Sequence, residues 1–213
     1  MFIRFAILIF FTIFSVHSDD KNIDEQQIKN IIEKYILENP ETIIESLEKF
    51  TANQKKKEKE SFVNILSNFY DTKAYERLPR IGDINSKLII LEFIDYNCGY
   101  CKKTLSTISK LSKNIDNIQI VFIDYPILSE SSEIAARASL AANEQNAYFQ
   151  YHTILLNNTE SINEDILYKI AKELSLDIEK FKKDMSSEKI KNNIIKNINF
   201  AKSLKVRGTP TFI

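Results

Sequence analysis

The sequence predicts an α/β fold built on one main domain, and three observations carry that reading. Leu88-Ile89-Ile90-Leu91-Glu92-Phe93-Ile94 is a near-continuous apolar run, as in a strand covered on both faces. A helical stretch with Leu105, Ile108 and Leu111 follows, then a second apolar run at residues 118–123. Strand, helix and strand in that order predict a parallel pair joined by a right-handed crossover. From Ser131 to Leu204 the apolar residues recur at helical spacing, so a large helical part follows that unit.

The first residues hold a single cation, Arg4, and an unbroken apolar run from Phe5 to Ile13. This reads as a secretory signal, residues 1–18, cleaved after Ser18. The run is well short of the roughly 20 residues a spanning helix needs. No cysteine follows it to carry a lipid anchor. Residues 19–77 then read as a helical extension. Ile28, Ile31, Ile32, Tyr35 and Ile36 recur every three or four residues, and Asn39 with Pro40 marks the start of a second helix. That helix carries Ile43, Ile44, Leu47 and Phe50 on one stripe, loses the stripe through Gln54–Glu60, and regains it at Phe62, Ile65, Leu66 and Phe69. The lysines of the charged interval are interrupted by Glu58 and Glu60, the pattern of a solvated helix face. The apolar ends need a partner surface.

Residues 78–213 form the main domain. Pro79 and Gly82 punctuate its entry, and Ala135, Ala138, Ala141 and Ala142 mark a closely packed helix in its later half. Gly208 ends the helical run, and Thr209-Pro210-Thr211-Phe212-Ile213 begins an extended piece. The chain has 29 Lys and Arg against 29 Asp and Glu, so no global field recruits nucleic acid or an anionic membrane.

Both cysteines fall in Cys98-Gly99-Tyr100-Cys101 at the start of a helix. There the first sulfur meets unpaired backbone N–H groups and the positive end of the helix dipole, which favour thiolate. Cys98 is therefore expected to be the exposed attacking thiolate and Cys101 the buried resolving cysteine. A structural zinc site wants four ligands, and beyond the signal the chain offers two cysteines and His152. No metal or other cofactor is assigned. Two thiolates remain able to hold a soft Cu(I) ion. His152, between Tyr151 and Ile154, reads as a structural histidine.

The stretch from Leu91 to Lys102 resembles the active-site segment of DsbA-like thioredoxin-fold proteins. Asp124-Tyr125-Pro126-Ile127-Leu128, Ser132–Ala138, Tyr148–His152 and Val206-Arg207-Gly208-Thr209-Pro210-Thr211-Phe212 match in the family's order. The N-terminal helices are similar to those of its exported Cys-Gly-Tyr-Cys subgroup. The resemblance implies a thioredoxin-like fold with a helical insertion after an α-helical extension. It implies that Pro210, preceded by Thr209, is the cis-proline beside the cysteine pair, where the neighbouring backbone meets an extended client. Glu92 stands at the position of a buried acid that exchanges a proton with Cys101, and Gly99 and Tyr100 face the client. The same fold continues past the proline strand into an edge strand and a terminal helix, so the end at Ile213 reads as a truncation. The function implied is disulfide exchange on exported, cysteine-containing clients in the periplasm, with a membrane redox partner recharging the pair. Oxidase, isomerase and reductase directions stay open, since potential and partner decide them. The extra helices favour isomerase or general exchange by a homo-oligomer. The alternative is a periplasmic Cu(I)-binding or holdase protein using the same cysteines and groove.

Overall fold

A computed structural model describes residues 24–213; the signal segment at residues 1–18 lies outside them. Helix α1 (Glu25–Glu38) is followed by α2 (Pro40–Asp71), whose first residue is the proline that cannot sit deeper in a helix. A 3-10 turn at Ala74–Arg77 leads to strand β1 (Arg80–Gly82). Then come β2 (Leu88–Ile94), α3 (Gly99–Asn114), β3 (Ile118–Asp124), α4 (Glu130–Asn143), α5 (Tyr148–Asn157), α6 (Glu164–Glu173), α7 (Ile178–Met185), α8 (Glu188–Ser203) and β4 (Thr211–Phe212). No described helix is long and apolar enough to cross a membrane.

The described residues fall into two units, one ending at Lys56 and the other formed by Lys57–Ile213. The division lies inside α2, earlier than the 77/78 boundary drawn from sequence. The physical reason is Phe69, which α2 buries among the core residues of the second unit, with its ring 4.3 Å from and stacked on that of Phe200. In the first unit, α1 buries none of its residues.

In the second unit the sheet has the order β1-β3-β2-β4. β2 and β3 run parallel in register from Leu88↔Ile118 to Ile94↔Asp124, as the strand-helix-strand pattern requires. β1 carries no strand signal in the sequence, because three residues beside a proline are too short to show a period of two. It pairs antiparallel with β3, and Gly82 adopts a positive φ of 90° where its Cα meets the backbone at Ile118 too closely for any Cβ.

Alternation along β2 and β3 sends Ile90, Ile94, Ile120 and Phe122 to one face and Leu91, Phe93, Val121 and Ile123 to the other. The first face packs on α3 and on the helices from α4 onward; the alanines of α4 let it lie against α5, α6, α7 and α8 at once. The second is covered by the end of α2 and by Ala201 and Leu204 at the end of α8 and just beyond it. The helical part read from Ser131 to Leu204 is divided into five helices. Three of the four breaks carry a side-chain cap, Asn163, Asp177 and Ser187 accepting the amides of Ile166, Lys180 and Ile190, and Ser129 caps the start of α4 in the same way at Ser132; α5 starts after Ala147 without one.

Candidate active site

The central strand delivers the cysteine pair. β2 ends at Ile94, Asp95 turns the chain, and Cys98 is the N-cap of α3, its backbone N–H donating to the Asp95 carbonyl at 3.0 Å. β4 brings in the opposing loop. It pairs antiparallel with β2, Phe93 opposite Thr211 and Glu92 opposite Phe212, and Ile213 and Leu91 exchange backbone hydrogen bonds of 2.8 and 3.1 Å. This register sets Thr209 and Pro210 against the cysteines. The Thr209–Pro210 bond is cis. The Cys98 thiol donates to the Thr209 carbonyl at 3.0 Å.

Cys98 is not the exposed residue that its position in the motif suggests. Its side chain is buried, 6% exposed, because the Thr209–Pro210 loop lies over the sulfur. Cys101 is buried as expected, and both are free thiols. The exposed member of the motif is Tyr100, at 70%. A Cβ on Gly99 would meet nothing within 4 Å, so that position faces open space.

The two sulfurs differ in acidity. Burial opposes the Cys98 thiolate, but hydrogen bonds from the Thr209 hydroxyl, from Cys101 and from the Tyr100 amide outweigh it and hold its pKa below the ordinary value. With Cys98 as a thiol donating to the Thr209 carbonyl, the buried Thr209 hydroxyl has no hydrogen-bond partner and is left to serve the thiolate. Cys101 is pushed up to about 12, chiefly by burial, with the Cys98 thiolate adding to the rise. Glu92 lies on the α3 side of β2, 2% exposed, one carboxyl oxygen without a hydrogen-bond partner. Burial raises it to about 7, and Thr104 of α3, whose hydroxyl proton goes to the Cys101 carbonyl at 3.0 Å, acts in the lowering direction.

Thus Cys98, Cys101, Thr209 and Pro210 converge, with Gly99 and Tyr100 on the outer side, and Glu92 is connected to the pair through Thr104. His152 stands apart as a buried, neutral residue, desolvated to about 3, its Nδ1 3.1 Å from the Tyr96 hydroxyl. Sequence reasoning gave no role to Asp95 or Asp124. Asp124 is fully buried, raised by that burial to about 7, and accepts from the Tyr148 hydroxyl at 3.1 Å. Both are acids at the ends of apolar strands, a signal visible in the sequence but equally compatible with a turn.

Residues 75–213 match the Thioredoxin family, and residues 24–57 match the N-terminal domain of the copper resistance protein ScsC. The probable disulfide bond formation protein D of Bacillus cereus is 31% identical over 151 residues, covering 65% of this chain and 70% of that one. A thioredoxin-like oxidoreductase from Silicibacter pomeroyi superposes with a TM-score of 0.62 at 34% identity, over 64% of this chain and 79% of the other. The thiol-disulfide exchange protein α-DsbA2 of Wolbachia pipientis gives 0.66 at 27% identity, over 74% and 86%.

Proposed function

The chain belongs to the thioredoxin family, in its DsbA-like branch of thiol-disulfide oxidoreductases, and on that footing we propose that Cys98 and Cys101 exchange disulfides with exported, cysteine-containing client proteins. The observation that carries the assignment of roles is the opposite displacement of the two thiols, Cys98 downward at a helix N-cap and Cys101 upward beneath it. At neutral pH the thiolate fraction belongs to Cys98. Its sulfur attacks one sulfur of a client disulfide, and the other leaves as the client's thiolate. Cys101 passes its proton to the Glu92 carboxylate, attacks the Cys98 sulfur, and expels the second client thiolate. The client has gained two electrons and the pair has become a disulfide. Run backward, the same steps oxidise a client dithiol. Thr209 and Pro210 border the sulfur, where an extended client segment lies against their backbone.

Export through the N-terminal signal would place the reaction in the periplasm, and a membrane redox partner would reset the pair. The apolar stripe of α1 and of the first half of α2 supports a homo-oligomer, which favours isomerase or general exchange. Reduction of insulin and reactivation of scrambled ribonuclease test the chemistry. Cys98→Ser should abolish both, whereas Cys101→Ser should accumulate a mixed disulfide on Cys98. Equal rates for wild type and Cys98→Ser would sink the assignment. The match of residues 24–57 to a copper resistance protein favours one second reading, Cu(I) held between the two thiolates. That reading requires binding without turnover in the same assays.

A further inference from the structure

Asn197, on α8, is 3% exposed, and its side-chain Nδ2 has no hydrogen-bond partner among the described residues. A buried amide donor left unpaired is costly, and in a native fold it calls for an explanation. Asn197 lines a cavity of about 260 Å³ in the unit formed by Lys57–Ile213, and no residue of the cysteine site lines it. Lys189, Asn193 and Asn197 follow one another at intervals of four along α8 and form one stripe of its wall. Asn143 and Glu144, at the end of α4, line it as well, and the Glu144 carboxylate holds the Lys189 ammonium at 2.5 Å. Arg77, from the turn before β1, and the buried Leu78 and Leu140 complete it. Charge and size select the occupant. Two cations against one acid leave a single positive charge, and with Lys189 held by Glu144 the Arg77 guanidinium and the Asn197 amide remain for an anion. A guanidinium fork suits a planar carboxylate, and one net charge suits a monoanion better than a phosphate dianion. Asn143 and Asn193 can each donate and accept, as a ligand hydroxyl requires. The volume falls just under the range of roughly 300–1,000 Å³ typical of sites for drug-sized ligands, so the occupant is small.

We propose that this cavity between the end of α4, α8 and the turn before β1 binds a small hydroxy-monocarboxylate, its carboxylate on Arg77 and Asn197 and its hydroxyl among Asn143 and Asn193. The site is independent of the cysteine chemistry, so it stands or falls without it. The probes are lactate and gluconate, with sodium chloride and inorganic phosphate at matched ionic strength as comparisons. In the 15N-labelled chain from Asp19 onward, at least one carboxylate should shift the side-chain amide signals of Asn193 and Asn197 saturably, with a Kd on the order of 1 mM. The same carboxylate should raise the melting temperature, since it binds only the folded chain. Arg77→Gln changes an exposed residue and should weaken binding about tenfold. Asn197→Leu removes the unpaired donor; it should melt no lower than the wild type without ligand and weaken binding about tenfold. If Asn197→Leu does not fold, Arg77→Gln decides the matter. The proposal is overturned by a saturable shift from neither carboxylate, by shifts that chloride reproduces, by phosphate binding more tightly than both, or by undiminished binding in Arg77→Gln.

Discussion

Glu92 couples the chemistry of the pair to the stability of the fold. Its carboxyl titrates at about 7 when folded against 4.5 when free. Between those values the folded chain keeps a proton that the unfolded chain has lost, so stability present below pH 4.5 is lost as pH rises to 7. Asp124 acts in the same direction, from 3.8 to about 7. His152 opposes them: held neutral down to about 3 against 6.5 when free, it costs stability as pH falls through that interval. Glu92→Gln removes one of the two acid contributions. Denaturant midpoints should show it gaining on the wild type by on the order of 2 kcal/mol between pH 5 and pH 8. The same variant should lose the step near pH 7 in the rate at which Cys101 resolves a mixed disulfide. An unchanged pH profile in both would remove Glu92 from the proton path. At this scale the sequence was informative where chemistry forces a residue type. A cysteine pair at a helix start, an acid inside an apolar strand and a proline after threonine all announce themselves. The burial of Cys98 did not, because it depends on a loop more than a hundred residues away, brought in by the pairing of β4 with β2.

Helix α2 shows what periodicity reveals and what it leaves out. The apolar stripe that returns at Phe62, Ile65, Leu66 and Phe69 after the charged interval is visible in the sequence. Its destination is not, since a stripe does not name its partner. In the fold these residues lie on the second core, with Phe69 between Tyr70, Tyr75 and Phe200, and the Glu58 carboxylate reaches Lys205 at 2.7 Å. The exposed ion pair adds little. Phe69 is 5% exposed, and truncating a buried phenylalanine costs about 3–5 kcal/mol. Phe69→Ala should therefore lower the unfolding free energy by that amount, measured in urea, while Phe62→Ala at the partly exposed edge of the cluster costs less. Equal, small losses for both would mean that the end of α2 is not part of the catalytic unit's core. The later helices were legible as helix but not as five. Caps such as Asn163 and Ser187 fall among residues that keep the 3.6-residue period, so the apolar pattern runs through the breaks while the backbone does not.

On the scale of the whole molecule, the apolar surface is divided unevenly between the units. Lys57–Ile213 buries two clusters on the two faces of its sheet. In α1 and the first half of α2, by contrast, Ile28, Ile31, Ile32, Tyr35, Ile36, Leu37, Ile43, Ile44, Leu47 and Phe50 are all between 41% and 73% exposed. A 14-residue helix with no buried side chain is marginal in water, because helices of that length draw most of their stability from packing. Burying even half of these side chains would contribute several kcal/mol, at about 1.5–3 kcal/mol each when complete. A second copy of the chain presents the same stripe and is the partner we propose. The division inside α2 also dictates where to cut: a deletion running to residue 75 would remove Phe69 and damage the catalytic core, whereas one ending at residue 56 spares it. The chain from Asp19 onward should scatter light as a dimer or trimer at micromolar concentration. Deleting residues 19–56 should leave a monomer that melts cooperatively, still reduces insulin, and has lost most of its reactivation of scrambled ribonuclease, since reshuffling gains from several pairs around one client. A monomeric full-length chain would defeat the assembly role, and a monomeric deletion variant with undiminished isomerase activity would separate assembly from function.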